Sequence, residues 1–109
     1  ILPKLSHIPT LADIQQTHQA IQAFIHRTPI LESTSINEIA GAEIYFKCEN
    51  FQRIGAFKMR GGASAALRLT NEEKGKGIAT HSSGNHAQAI ARSAQELGIP
   101  AYILSIIPI

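Results

Sequence analysis

The sequence has little of several features that mark particular classes of protein. It holds one cysteine among its 109 residues, which excludes an internal disulfide and suits a reducing compartment such as the cytoplasm. No run approaches the roughly eighteen consecutive apolar residues that a membrane-spanning helix needs. No charged segment precedes an apolar one as in a signal peptide, and there are no internal repeats. These absences favour an ordinary globular domain away from membranes.

Charge of one sign is not concentrated in any part of the chain. Ten Lys and Arg against eight Asp and Glu give a net charge of +2, and the basic residues are scattered. Because nucleic acids and anionic membrane surfaces are bound by clustered basic residues, neither is expected as a partner. With 44% hydrophobic residues over this length, the chain is at most one small domain with one core. It does not begin with Met, which predicts a processed chain or a fragment.

The first third of the sequence carries helical signals. Residues 1–9 hold two prolines and no periodicity, and are expected to form an arm. Thr10 and Asp13 have the spacing of a capping box. Apolar residues at the 3.6 period then predict a helix that continues to about Arg27 and ends at Thr28-Pro29.

A shorter helix and a strand are predicted next. Ser35 and Glu38 form a second candidate capping box, and Gly41 would close the helix that they begin. Residues 43–48 are mostly β-branched and aromatic, which predicts a strand, and residues 49–56 are predicted to form a loop. The charged side chains that flank Cys48 at the end of this strand are expected only to be solvated: Lys47 and Glu49.

The rest of the chain alternates helix and strand, so the fold class is expected to be α/β. In order we predict a helix at residues 57–70, a charged connection at 71–77, a strand at 77–82, a helix at 84–98 and a strand at 101–107. The connection is a candidate hinge, and strand, helix and strand at this spacing predict a parallel sheet with a right-handed crossover. The helix stripes expected to face the core are Met59, Ala63, Ala66 and Leu67, then Ala87, Ile90, Ala91, Ala94 and Leu97, with Gly98 as the C-cap.

Lys58 has unusual neighbours on its predicted helix. It follows Phe57, and the positions on its own face, at i+3, i+4 and i+7, are Gly61, Gly62 and Ala65. Such a face lets a flat ligand approach the backbone, and a lysine in a desolvated site is a nucleophile towards carbonyls. The alternative is a solvated lysine on an amphipathic helix, which composition alone favours.

A second candidate site is the loop THSSGNHAQA at residues 80–89. Ser82 or Ser83 is the natural N-cap of the helix that follows. Free N–H groups, two hydroxyls and the Asn85 amide would suit a carboxylate or a phosphate. The loop also follows a parallel strand at its carboxyl end, where open α/β sheets bind ligands. From this loop alone, an ordinary capped turn remains an equal alternative.

The two stretches occur in one chain, as KCENFQRIGAFKMRGG (47–62) followed by THSSGNHAQA (80–89). Together they resemble the pyridoxal-phosphate enzymes of the tryptophan synthase β-like fold (fold type II), in the serine/threonine dehydratase and serine racemase group. The resemblance runs from about Leu11 to Tyr102 and implies the N-terminal portion of a parallel-sheet α/β enzyme. It implies that residues 1–72 belong to the large cofactor-binding domain and that residues 73–109 begin the small domain.

The resemblance also implies roles for individual residues. Lys58 would form the Schiff base with pyridoxal 5′-phosphate, Phe57 would pack on its pyridine ring, and Asn85 would hydrogen-bond its phenolic oxygen. Four residues beside Asn85 would complete the pocket for the substrate carboxylate: Ser82, Ser83, Gly84 and His86. Ser83 would also be the acid–base group on the face opposite Lys58, since serine racemase-like members carry serine there and many biosynthetic threonine dehydratases carry alanine.

The activity that the resemblance implies is β-elimination of L-serine or L-threonine to a 2-oxo acid and ammonia. Serine racemisation as a further activity stays open, as does threo-3-hydroxyaspartate ammonia-lyase, because both motifs also resemble those enzymes. The remaining alternative is a truncated, non-catalytic remnant that acts at most as an interaction module. The expected partner is a small hydroxy amino acid, and the full-length enzyme would be a homodimer. No metal-ligand spacing is present, so any divalent cation would bind through residues outside this chain.

The chain departs from the family pattern at several points. Ala56 stands where many members have serine, and Gly62 stands where alanine is usual. After Tyr102 the sequence reads ILSIIPI where the family has a polar, proline-bearing loop. The 109 residues contain neither the glycine-rich loop that binds the cofactor phosphate nor the partner of the pyridine nitrogen.

We therefore expect the isolated 109-residue chain to be inactive towards L-serine and L-threonine. The phosphate anchors the cofactor, and the loop that would hold it is not in this sequence. The measurement is ammonia release with excess cofactor, with a full-length dehydratase as the positive control. Sustained release by the isolated chain would contradict the prediction.

Overall fold

The computed structural model describes residues 6–106, and all counts below refer to that range. The helices are α1 (Leu11–Ile21), α2 (Thr34–Ala40), α3 (Lys58–Leu67), α4 (Asn71–Lys76) and α5 (Asn85–Leu97). The strands are β1 (Ile30–Leu31), β2 (Phe46–Lys47), β3 (Ile78–His81) and β4 (Ala101–Leu104). Short 3₁₀ turns occupy Gln22–Phe24, Glu49–Phe51 and Arg53–Gly55. The start of the predicted arm, 1–5, and the end of the apolar tail, 107–109, lie outside the described residues.

The C-terminal half forms the predicted βαβ unit. β3 and β4 pair in parallel, from Ile78 opposite Ala101 to His81 opposite Leu104. α5 connects the two strands and packs on both. It ends at Gly98, which has a φ of 68° in the left-handed region that glycine adopts without strain. The parallel pairing confirms the α/β fold class.

The N-terminal half contains a small antiparallel pair that the sequence predicted only in part. β2 covers two of the residues in the predicted strand 43–48, and it pairs with β1, for which no strand was predicted. Ile30 lies opposite Lys47, and Leu31 opposite Phe46. The strand is shorter than predicted because only these two residues find a partner among the described residues.

The N-termini of α1 and α2 test the two capping boxes that the sequence predicts. The Thr10–Asp13 capping box is confirmed, with the Thr10 N–H donating to Asp13 Oδ2 at 2.7 Å. α2, however, is capped by Ser33, whose Oγ accepts the N–H of Ile36 at 3.4 Å. The prediction of Ser35 as the cap is therefore wrong: three consecutive hydroxyl residues compete for the role, and the helix begins at Thr34, directly after the first of them. Gly41 closes α2 as predicted.

Two further boundaries differ from the prediction. α1 ends at Ile21 and continues only as the 3₁₀ turn Gln22–Phe24, short of Arg27. The supposed connection at residues 71–77 contains the helix α4, begun by a capping box in which the Glu73 N–H donates to Thr70 Oγ1 at 3.1 Å. Charge and glycine content indicated a loop there, but the cap and the acidic first turn favour a helix. The domain boundary after residue 72 remains a prediction.

The apolar core lies between α1 and α3 and extends along α3 to α5. Ile21, Met59 and Ala63 form its centre, with Phe24, Ile25, Ile54 and Leu67 packed against it. The stripe predicted for α3 is thus confirmed. On α5 the prediction was partly wrong: Ala91 is exposed, whereas Ala89 and Ser93 are buried. α5 contacts both the sheet and α3, so its buried surface is wider than one stripe.

No helix within residues 6–106 has the length and apolar character to cross a membrane.

Candidate functional site

Lys58 is the first residue of α3 and is exposed. Its Nζ lies 5.1 Å from the centroid of the Phe57 ring, and Phe57 is itself 61% exposed. A cation and an aromatic face therefore stand together at the surface. A Cβ built on Gly61 would meet nothing within 4 Å, so there is room for a flat ligand along this turn. The desolvation expected for Lys58 is not found within the described residues.

Gly62 has a different role from the one expected. It is buried, and a Cβ built on it would lie 2.9 Å from the Ala89 Cβ and 3.0 Å from the Ala89 carbonyl carbon and oxygen. Gly62 thus allows α3 and α5 to cross closely and offers no surface to a ligand. The open small-residue face beside Lys58 is reduced to Gly61 and Ala65, which are both exposed.

The loop from Ser82 to His86 connects β3 to the start of α5. No side chain in the described part of the chain caps α5, and its N-cap residue is Gly84. The prediction that Ser82 or Ser83 would cap the helix is wrong, because the Ser82 Oγ instead accepts the N–H of Gly84 at 3.2 Å. The first turn of this 13-residue helix therefore presents its N–H groups openly. Together with the helix dipole, this arrangement is suited to an anion.

The side chains predicted to bind substrate all lie at this open helix start. Ser83, Asn85 and His86 are exposed, as is the backbone of Gly84, while Ser82 is half-buried. None of them is engaged in the packing of the core. They are therefore free to contact a ligand above the carboxyl end of β3.

The crossing of α3 and α5 brings the helices that carry the two predicted stretches into contact. Lys58 precedes Gly62 by four residues, and Asn85 precedes Ala89 by four. Four residues of α-helix span about 6 Å. The Lys58 end of α3 and the Asn85 end of α5 are therefore each about one turn from the same contact. Sequence alone could not give this, because α4 and β3 separate the two stretches along the chain.

A polar network ties α3 to the segments before it. The Arg60 Nη2 donates to Glu49 Oε2 at 3.1 Å, and its Nε donates to the other oxygen. The buried Thr28 donates its hydroxyl to Glu49 Oε2 at 2.7 Å, and Lys47 Nζ donates to the Thr28 carbonyl at 2.7 Å. The expectation that Lys47 and Glu49 are only solvated is therefore wrong. No local pattern reveals these bonds, because their partners lie 11 to 21 residues apart.

The turn that leads into Lys58 is fixed by Gln52, which sequence reasoning missed. Gln52 is buried, and its Oε1 accepts the N–H groups of His26 at 2.8 Å and Arg53 at 2.9 Å. Its Nε2 donates to the His26 carbonyl at 2.9 Å. Ile54 follows with a φ of +63°, a conformation that is strained for a β-branched residue. The packing of Ile54 against the core and the bonds of Gln52 hold this turn in place.

Within residues 6–106, no cluster of three or more His, Cys, Asp and Glu side chains is arranged to hold a metal ion.

Comparison with known proteins identifies the family and the fold of this chain. Residues 21–106 match the sequence profile of the family described as "Pyridoxal-phosphate dependent enzyme". The chain is 48% identical over 95 residues to the serine racemase of Dictyostelium discoideum, covering 87% of this chain and 29% of that protein. It is 48% identical over 97 residues to the L-threo-3-hydroxyaspartate ammonia-lyase of Saccharomyces cerevisiae, covering 89% and 30%. The solved threonine deaminase of T.th. matches with a TM-score of 0.81 at 40% identity, covering 89% of this chain and 30% of that one.

The α/β fold and these matches define a segment of an α/β enzyme that depends on a cofactor. The chain belongs to the family of pyridoxal-phosphate dependent enzymes. The resemblance and the fold class inferred from the sequence are thereby confirmed. The chain spans about 30% of the length of the relatives that it matches.

The Glu49–Arg60 pair makes the stability of this region depend on pH. The Arg60 hydrogen bonds, aided by the Thr28 hydroxyl, lower the pKa of Glu49 from 4.5 to about 2, and the same pair raises the pKa of Arg60. Since the folded-state pKa of Glu49 is depressed, its stabilising contribution is present above pH 4.5 and is lost as the pH falls towards 2.

We expect Glu49→Gln to lower the free energy of unfolding at neutral pH by about 2 kcal/mol, the typical contribution of hydrogen bonds to a charged group. Between about pH 5 and pH 2, the free energy of unfolding should also decrease less in the variant than in the wild type. The measurement is urea unfolding across this pH range in the full-length enzyme that carries this segment. The matched control is Glu72→Gln, because the Glu72 side chain is 81% exposed and its ion pair is with Lys76, whose side chain is 74% exposed. Equal pH profiles for wild type and Glu49→Gln would refute the assignment.

Proposed function

We propose that this chain supplies the lysine and the carboxylate-binding loop of a pyridoxal-phosphate-dependent L-serine/L-threonine dehydratase. Racemisation of serine would be a further activity of the same pocket. The proposal is supported by the exposed Lys58–Phe57 pair at the start of α3 and by the uncapped start of α5, on two helices that are in contact at Gly62 and Ala89. The similar proteins named serine racemase and threonine deaminase support the substrate class.

The residues present fit the ring and aldehyde of the cofactor. Lys58 offers an exposed amine, Phe57 an exposed aromatic face, and Gly61 open space beside them. Asn85 offers an exposed amide at the start of α5. Lys58 would hold the cofactor through Nζ, Phe57 would stack on the ring, and Asn85 would hydrogen-bond its phenolic oxygen. When bound, the cofactor would supply an electron sink for the negative charge that develops on the substrate α-carbon.

Different residues of this chain would bind the substrate and transfer its protons. The open N–H groups of α5, with Ser82 and His86, would bind the substrate carboxylate. Lys58 Nζ, as a free amine, would remove the α-proton from one face of the substrate. Loss of the β-hydroxyl with a proton removes water, and hydrolysis of the dehydrated product yields the 2-oxo acid and ammonia. Ser83, exposed and without a capping role, would supply a proton to the opposite face, which would give the D-amino acid.

A second candidate is the ammonia-lyase reaction on threo-3-hydroxyaspartate. The observation that favours it is the 48% identity to the yeast protein of that name. It uses the same loss of water and ammonia, and differs in needing a site for a second carboxylate. Comparing kcat/KM for L-serine, L-threonine and threo-3-hydroxyaspartate would decide between the candidates. A full-length protein with no activity on any of them would favour the non-catalytic interaction module.

The proposal also includes the domain organisation, oligomeric state and cellular location of the full-length enzyme. Residues 1–72 would lie in the large domain and residues 73–109 in the small domain, with the cofactor between them. The full-length enzyme would be a homodimer, and any divalent cation would bind through residues outside this chain. The single cysteine is in keeping with a cytoplasmic location.

We expect Lys58→Ala to abolish covalent attachment of the cofactor in the full-length enzyme. After borohydride reduction and dialysis, the wild-type protein should carry the cofactor on the peptide that contains Lys58, as peptide mass mapping would show. Lys76→Ala is the matched control, because Lys76 lies at the end of α4 and its ion pair is with Glu72 on the same helix. A reduced cofactor found on another lysine of the wild type would exclude Lys58 from this role.

We expect Ser83→Ala to suppress racemisation more than β-elimination. Racemisation needs an acid–base group on each face of the carbanion, whereas elimination needs only Lys58. General acid–base groups contribute about 10²–10⁴-fold, so D-serine formation from L-serine should fall by roughly that factor relative to pyruvate. Ser83 does not cap α5, so loss of a cap should not confound the result.

The control for this experiment is Ser82→Ala. It removes the hydrogen bond to the Gly84 N–H and should lower both activities together by disturbing the loop. An unchanged ratio of D-serine to pyruvate in Ser83→Ala would remove Ser83 from the mechanism.

A further inference from the structure

Lys58 lies between two residues whose side chains hold the backbone in place. Gln52 precedes it by six positions and Arg60 follows it by two. Gln52 is only 3% exposed, and Arg60 lies in the first turn of α3. Both are bonded to the segment 26–28, Gln52 directly and Arg60 through Glu49. The lysine therefore stands on a stretch of chain that is tied on both sides to one other segment.

The Gln52 amide makes three hydrogen bonds with the backbone. Its Oε1 accepts the N–H groups of His26 at 2.8 Å and Arg53 at 2.9 Å, and its Nε2 donates to the His26 carbonyl at 2.9 Å. The two bonds with His26 engage both of its backbone groups, and they join segments that are 26 residues apart in sequence. A side chain without an amide would leave these three backbone groups without their partner, which costs free energy.

The turn between Gln52 and α3 is strained. Ile54 and Gly55 have φ angles of +63° and +75°, both in the left-handed region. A β-branched residue avoids this region, so a chain without restraints would relax at Ile54. The Gly55 N–H donates to the Gln52 carbonyl at 2.8 Å, and Ile54 packs against the core. Strain of this kind persists only where the surroundings impose it, and it is concentrated at functional sites.

The conformation of this turn determines where α3 begins. Within residues 6–106, no side chain caps α3. Its first hydrogen bonds run from the Met59 N–H to the Ala56 carbonyl at 3.3 Å and from the Arg60 N–H to the Phe57 carbonyl at 3.0 Å. Both carbonyls come directly after the turn, so a relaxed turn would move them and Lys58 together. Misplacing a reacting group by about 1 Å can cost about 100-fold in rate.

We propose that Gln52 is a positioning residue that holds the strained turn at Ile54 and Gly55 and thereby sets the place of the Lys58 amine. The inference rests on the proposed function in one respect, which is that Lys58 carries the cofactor. Groups outside this chain would anchor the cofactor phosphate, so the amine must lie where the aldehyde is held. Gln52 acts on Lys58 through the backbone between them and contacts no ligand itself.

The test is Gln52→Met in the full-length enzyme that carries this segment. Methionine is similar in size to glutamine but makes none of the three hydrogen bonds. The rate constant for attachment of pyridoxal 5′-phosphate to the cofactor-free enzyme, followed by timed borohydride trapping on Lys58, should fall at least about tenfold. The kcat for L-serine per labelled site should also fall at least about tenfold, because the amine is misplaced.

Two controls separate positioning from a loss of stability. Thr70→Ala removes the capping box that begins α4, which should lower stability without touching the turn. Gln19→Met makes the same chemical change at an exposed position of α1. Both should keep the wild-type attachment rate and the wild-type kcat per labelled site. If Gln52→Met also lowers stability but leaves both rates per labelled site unchanged, its role is purely structural and the proposal is overturned.

Gln52→Glu is the conservative variant. A carboxylate can still accept the N–H groups of His26 and Arg53, but when ionised it cannot donate to the His26 carbonyl. Both rates should therefore exceed those of Gln52→Met by about threefold or more, while staying below those of the wild type. Equal rates in the two variants would overturn the assignment to these bonds.

If Gln52→Met does not fold, Gln52→Glu alone provides the test. Both rates should then be at least about threefold below those of the wild type, and unchanged rates would overturn the proposal. Failure of the proposed function is a separate outcome, seen in the wild type: no label on Lys58, or no turnover of any hydroxy amino acid.

Discussion

The architecture of this chain depends on the close crossing of α3 and α5 at Gly62 and Ala89. α3 is the central element, with α1 packed on one side and α5 on the other. The close approach at Ala89 allows α5 to lie against α3 while it also covers the β3–β4 pair. A Cβ at position 62 would meet Ala89 at 2.9 Å to 3.0 Å, so the helices approach here as closely as a glycine allows. The contact between α3 and α5 thus joins the two halves of the molecule.

In this small core, hydrogen bonds and an ion pair help to hold the helices in position, a role that apolar packing has in larger cores. The apolar centre formed by Ile21, Met59 and Ala63 is small, and large side chains such as Ile39, at 87% exposure, lie on the surface. The position of α3 therefore depends also on Glu49, whose carboxylate joins Arg60 to Thr28. Such part-buried networks fix one arrangement only when their members are satisfied, and here the carboxylate accepts hydrogen bonds on both oxygens.

Prediction from the sequence was most successful where the signal lies within a few neighbouring residues, or where a motif contains many characteristic residues. The motif pair around Lys58 and Asn85 led to the family, and the spacing of strand, helix and strand led to the parallel pair. It failed where two local signals compete, as between Ser33 and the predicted cap Ser35. It also failed where a role depends on a residue far along the chain. Nothing near Gly62 in sequence shows that Ala89 will face it, so its close packing was mistaken for a ligand surface.

The exposure of Lys58 indicates which parts of the enzyme must keep water away from its amine. A lysine amine becomes an effective nucleophile through desolvation or through a neighbouring charge, and in the described part of the chain Lys58 is exposed, with its Nζ 5.1 Å from the centroid of the Phe57 ring. In the proposed enzyme, the aromatic ring of the cofactor and groups beyond this segment must exclude the water. The contribution of this chain is then geometric. It provides an amine and an anion site on two helices that are in contact with each other.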